Sequence, residues 1–171
     1  MDAKKFLMQV KKLDRMIENK REERDQWLLL ATNITAGDAP ATGVRVQTSG
    51  SQQKMADAID RSIDIGAQIE QTIRRLFEAR QEIISVIEQL SAVEYDLLHR
   101  LYVGKIVVDP KTRRKRIVCM TLQEVADEYG RSHSWARTLH GVALSKVRRI
   151  IEEKGVVPID EQIKRWNCEK V

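Results

Sequence analysis

Apolar residues recur along the first third of the chain at alternating steps of four and three. The series runs Phe6, Val10, Leu13, Ile17, Lys20, Arg24, Trp27, Ala31, Ile34. That spacing is the seam of a long helix laid along a partner. A second series, Met55, Ile59, Ser62, Gly66, Ile69, Ile73, Leu76, Arg80, Ile83, Ile87, Leu90, predicts a second long helix. Between them lies TAGDAPATGVRVQTSGSQQ, where Gly37, Pro40, Gly43 and Gly50 interrupt any helix. The reading is a long antiparallel helical hairpin over 1–90 with its loop at about 35–52. Matching the ends sets Trp27 opposite Ser62 and Gly66, and Arg24 near Asp60 and Asp64. Lys20 and Arg24 then either form a polar layer that fixes register or carry their charged ends out to solvent. Within the loop, VRVQTSG alternates apolar and polar and reads as a short strand or an extended arm.

The second half has shorter periods. Ser91 with Glu94 makes a capping box and starts a new helix, whose apolar face is Leu97, Leu98 and Leu101. KIVVDPKTRRKRIVCM follows, with β-branched runs on either side of Asp109-Pro110, and predicts a β-hairpin over about 105–120. Its tip is basic: Lys111, Arg113, Arg114, Lys115, Arg116. Thr121 and Glu124 form a second capping box. Leu122, Val125, Ala126 and Tyr129 face inward, and Gly130 ends that helix. Ser132 caps the next, whose apolar face is Ala136, Leu139, Ala143, Leu144 and Val147. His133, Ser134, Arg137, Thr138 and Gly141 remain on its outer side. Two short helices joined at a glycine, the second presenting polar side chains from its N-terminal turns, form a helix-turn-helix. Residues 91–154 are therefore a helix-turn-helix domain with an inserted β-hairpin, and 155–171 a C-terminal tail. The fold class is all-α.

Charge sharpens this picture. Lys and Arg number 30 against 25 Asp and Glu. Residues 1–91 balance, with fourteen of each sign, whereas residues 97–149 carry twelve cations and four acids. A basic block on a neutral body is the footprint of a polyanion binder. A plain charge run is more often a solvated face, but this one coincides with the helix pair. Arg131, Ser132, His133, Ser134, Arg137, Thr138 and Lys146 are thus the candidate DNA contacts on the helices. Lys111, Arg113, Arg114 and Arg116 are those on the hairpin. Trp135 lies beside the apolar face and is expected to pack under the hairpin, since large aromatics bury their area.

Other chemistry finds little support. His99, His133 and His140 lack carboxylate or cysteine partners at ligand spacing, and Cys119 and Cys168 stand alone. No phosphate-binding glycine loop, nucleophile elbow or paired-carboxylate motif is present. The expectation is a non-enzyme with no metal and no cofactor. The N-terminal residues lack the apolar core of a signal peptide, and no run is long enough to span a membrane. Together with two lone cysteines, this points to the cytoplasm.

TLQEVADEYGRSHSWARTLHGVALSKVR, residues 121–148, resembles region 4 of sigma-70 family factors without a gap. LSAVEYDLLHRLYVG resembles the helix that leads into that motif. Trp135 stands where the family usually has a basic residue, and Ala136 where it has a larger aliphatic one. The resemblance implies that His133, Ser134, Arg137 and Thr138 read bases in the major groove. Over about residues 5–152 the chain is similar to the RinA/ArpU-like late-transcription regulators of phages and prophages of Gram-positive bacteria. It implies double-stranded DNA and the host RNA polymerase as partners; the helical hairpin, with its long apolar seams, is the candidate surface for a homo-oligomer. A small-terminase-like packaging subunit is a second reading, although there the DNA-binding part usually comes first. A module that docks on polymerase without binding DNA alone is a third.

Overall fold

The computed structural model describes residues 2–36, 49–110, 113 and 115–168. The chain is mostly helical, with one two-stranded antiparallel sheet. Helix α1 spans Ala3–Ala36 and α2 spans Ser49–Ile87. The connection at 37–48, which holds most of VRVQTSG, lies outside the described residues. Helix α3 covers Ala92–Leu98 and continues into a π-type turn at His99–Val103. Strands β1, Lys105–Val108, and β2, Lys115–Val118, pair with Ile106 opposite Ile117. Then come α4, Leu122–Glu128, α5, His133–Lys154, and α6, Ile159–Cys168. Residues read from sequence as a tail thus include a helix.

The chain divides into two compact units, Met1–Asp14 with Glu78–Val171, and Arg15–Phe77. The expected division at residue 90 cuts across the first of these. Its core is built by residues far apart in sequence. Phe6, Leu7, Val10 and Leu13 of α1 are buried, as are Ile83, Ile84, Val86 and Ile87 of α2. Leu97, Leu98, Val125, Ala126, Ala136, Ala143, Val147 and Ile151 complete it from α3, α4 and α5. Leu7, Ile84 and Val86 lie outside the heptad seam, and their burial shows α1 and α2 covered on more than one side here. Asp14 and Arg80 join at 2.6 Å, and the side chain of Gln9 accepts from the Ile159 amide of α6 at 3.1 Å.

In the second unit the two long helices run antiparallel. The Arg21 guanidinium lies 5.3 Å from the Phe77 ring centre, and Arg24 reaches Glu70 at 3.4 Å. Ile17, Ile69, Ile73 and Leu76 are buried. The register differs from the one expected by matching ends: Arg24 pairs with Glu70 and its own neighbour Asp25, not with Asp60 or Asp64. Lys20 pairs along its own helix with Glu23. Both cations form ion pairs at the edge of the seam. Trp27 is only half-buried. A Cβ added to Gly66 would meet nothing within 4 Å, so no ring is seated against that glycine. The side chain of Ser62 lies outside the described residues. The buried aliphatics, not the aromatic, set the register.

Candidate nucleic-acid interface

Local sequence accounts for how α5 is presented. Thr121 and Glu124 complete their capping box, with the Glu124 carboxylate accepting from the Thr121 amide at 2.6 Å. Those hydrogen bonds hold the Glu124 carboxyl below its ordinary pKa. Gly130 takes φ 59°, in the left-handed region that glycine enters without strain. The Arg131 amide then returns to the Ala126 carbonyl at 2.9 Å. Ser132 caps α5, its hydroxyl accepting from the Trp135 amide at 3.2 Å. A four-residue turn, Tyr129–Ser132, is therefore closed by hydrogen bonds at both ends.

Packing then fixes the rotation of α5. Ala136, Ala143, Val147 and Ile151 are buried on one side. Ser134, Arg137, Thr138, Gly141, Ser145, Arg148 and Arg149 are exposed. The Thr138 hydroxyl donates to the Ser134 carbonyl at 3.0 Å, and the Ser145 hydroxyl to the Gly141 carbonyl at 3.0 Å. With its proton used, Thr138 still offers a methyl group and acceptor lone pairs. Arg131 and Arg137 have no carboxylate partner among the described residues. His133 is half-buried.

Lys146 is placed differently. Its ammonium meets Glu94 at 2.6 Å, and the Glu94 side chain is 5 % exposed. Glu94 also accepts from the Ser91 amide and hydroxyl, at 3.1 and 2.7 Å. The Lys146 hydrogen bond, aided by those from Ser91, keeps this carboxyl ionised below its ordinary range despite burial. One acid thus caps α3 and ties it to α5, and the charge of Lys146 is used inside the protein.

A second cluster holds α3, α4 and the start of α5. Asp96 accepts from Arg100 Nε at 2.6 Å and from the Tyr129 hydroxyl at 2.6 Å. Arg100 also bonds Glu128. The Asp96 hydrogen bond raises the Tyr129 pKa. Trp135 packs against the Tyr129 ring at 5.4 Å, so its neighbour is the residue that closes α4, where the hairpin was expected. Further along α5, the Tyr102 hydroxyl lies 2.9 Å from His140 Nε2. Burial lowers the His140 pKa, helped by the charge of Lys4. Burial raises that of Tyr102, helped by Asp2. The i,i+4 spacing of Asp96 and Arg100 was a local signal for the second cluster. Nothing local announced Tyr102 with His140, which are 38 positions apart.

The hairpin is anchored at its base. The Met120 amide donates to the Arg100 carbonyl at 2.9 Å. Gly104 has φ 72°, and a Cβ there would meet the Val118 carbonyl oxygen at 2.5 Å. Arg113 and Arg116 are exposed. Lys111 and Arg114 lie outside the described residues. Alternation along the strands puts Ile106, Val108 and Ile117 on one face and Lys105, Val107, Arg116 and Val118 on the other. Ile106 is 67 % exposed and Val108 51 %.

Among the described residues, no three His, Cys, Asp or Glu side chains cluster as a metal site, and no helix is long and apolar enough to cross a membrane. No family model, no curated protein and no solved structure matches this chain.

Proposed function

We propose that this protein is a sequence-specific DNA-binding regulator of phage late transcription, acting with the host RNA polymerase. In this reading α4 and α5 are a helix-turn-helix, and the first turns of α5 enter the major groove. The observation that carries it is the exposed, acid-free face from Arg131 to Thr138, presented by a helix that caps and packing hold in one orientation. Arg137 then reaches a guanine edge or the adjacent phosphate. Thr138 offers its methyl to thymine or its oxygen to a base donor. Arg113 and Arg116, with Lys111 and Arg114, add sequence-independent phosphate contacts. Lys146 is left out of the interface because Glu94 holds it.

The test is binding to duplexes selected from a random library by the full chain. Arg137→Ala is expected to lose about 1–3 kcal/mol on the selected site and to keep its melting temperature. Wild-type chain that binds no duplex in a salt-dependent way would end this reading. A specific observation favours a second one, docking on a protein partner such as polymerase: the hairpin side chains Ile106, Val108, Ile117 and Val118 lie open to solvent. Partner binding that Ile106→Asp abolishes, with no DNA binding by the wild type, would support it.

A further inference from the structure

We propose that one flank of the α1–α2 hairpin in the second unit is a dimer interface, occupied by the same flank of a second copy of this chain. Two contacts define the flank. Arg21 lies over the Phe77 ring at 5.3 Å, and Arg24 reaches Glu70 at 3.4 Å. Seven residues turn a helix by about 700°, within roughly 20° of two full turns, so residues seven apart share a face. On α2 that stripe is Ile63, Glu70 and Phe77. On α1 it is Arg21 and Leu28, with Arg24 one turn before Leu28. The apolar members are open: Leu28 is 58 % exposed, Ile63 62 % and Phe77 41 %. The same seven-residue series reach Leu7 on α1 and Ile84 on α2, and in the first unit both of those are buried. There the series belongs to a packed face. The second unit holds only α1 and α2 among its described residues, and nothing within it covers the series.

Charge selects a second copy as the occupant. Residues 15–77 carry nine cations and nine acids, so two such units approach without net repulsion, and a polyanion is not drawn there. The flank is also its own complement, since α1 contributes Arg21 and Arg24 and α2 contributes Glu70. A two-fold axis parallel to the helices lays α1 of each copy on α2 of the other, antiparallel, at the levels already matched within one hairpin. Arg24 then stands level with Glu70 of the second copy, and Leu28 falls between the levels of its Ile63 and Phe77. The result is a four-helix bundle with an isologous interface. The stripe is about 21 Å long and two helices wide, a small interface, so the pair dissociates on dilution.

The experiment is sedimentation velocity of the full chain from about 1 to 100 µM, the range in which small interfaces associate. The wild type is expected to pass from monomer to dimer. Leu28→Glu and Ile63→Glu should each raise the dissociation constant about tenfold or more. Leu29→Glu, similarly exposed but about 100° further round α1, should leave the dimer intact. Arg24→Glu and Glu70→Lys should each weaken it, and an equal mixture of those two chains should dimerise again, because each altered charge then meets its opposite across the interface. All five positions are at least partly exposed, so melting curves should stay near that of the wild type. A wild type that stays monomeric overturns the proposal and leaves the flank to a different protein. A closed assembly larger than a dimer overturns the two-fold arrangement. A dimer that Leu28→Glu and Ile63→Glu leave unchanged, or a mixture no more dimeric than its components, places the interface elsewhere and overturns it too.

Discussion

The neutral state of His140 is a product of its burial, and it links this residue to pH. A histidine with a lowered folded pKa favours the fold while neutral. That contribution is full above the unfolded value of 6.5 and is lost as pH falls from there through the lower folded value. Melting temperature should therefore drop on acidification below about pH 6.5, and His140→Gln should remove that part of the drop. A wild type and variant with parallel pH profiles would show that His140 protonates freely in the fold. Glu94 works in a lower window. Its depressed pKa stabilises the fold above the ordinary carboxylate value of 4.5, and that support disappears as pH falls through the folded value. Gly104 makes a different residue-scale demand. Its positive φ and the Val118 carbonyl 2.5 Å from any Cβ make Gly104→Ala strained, at about 1–3 kcal/mol. The damage should fall on the hairpin, read as accelerated proteolysis near Arg113.

At the scale of elements, α5 carries a glycine in mid-helix with open space around it. A Cβ on Gly141 would meet nothing within 4 Å. Alanine there should stabilise the helix by about 0.5–1 kcal/mol. Under the DNA-binding reading the same change puts a larger group on the groove side, so Gly141→Gln should bind DNA less well while melting no lower than wild type. Equal DNA affinity would move the contact surface away from Gly141. The ends of α3, α4 and α5 were legible in sequence because caps are local: Ser91, Thr121, Gly130 and Ser132 each act within a few residues. The hairpin strands were legible for the same reason. The register of α1 against α2 was not. A heptad gives a face but not an offset, and Arg24 had several acids on α2 to choose from. Lys146 looked like a free cation because its partner Glu94 had a complete local role as a cap.

At the scale of the whole molecule, charge follows the compact units rather than the sequence halves. Residues 15–77 hold nine cations and nine acids, so the net charge of +5 falls entirely on the other unit, with twenty-one cations and sixteen acids. The N-terminal segment counted as part of a neutral body belongs to the basic unit. Deleting residues 1–14 should therefore do more than remove a terminus. Phe6, Leu7, Val10 and Leu13 are all essentially buried. At about 1.5–3 kcal/mol each, their loss rivals the stability of a whole domain. The shortened chain should lose cooperative melting in that unit, whereas a variant with only Lys4 and Lys5 replaced should keep it. A unit assembled from both ends of a chain also has a consequence in time. During synthesis α1 emerges first, but α6, which meets Gln9 and Lys12, arrives about 150 residues later. At about 5–20 residues per second, Gln9 and Lys12 of α1 wait roughly 8–30 s for that partner. Over that interval α1 has only α2 among its described partners to rest on, through contacts such as Asp14 with Arg80, and synonymous codons that slow translation should lower the soluble yield without changing a single residue.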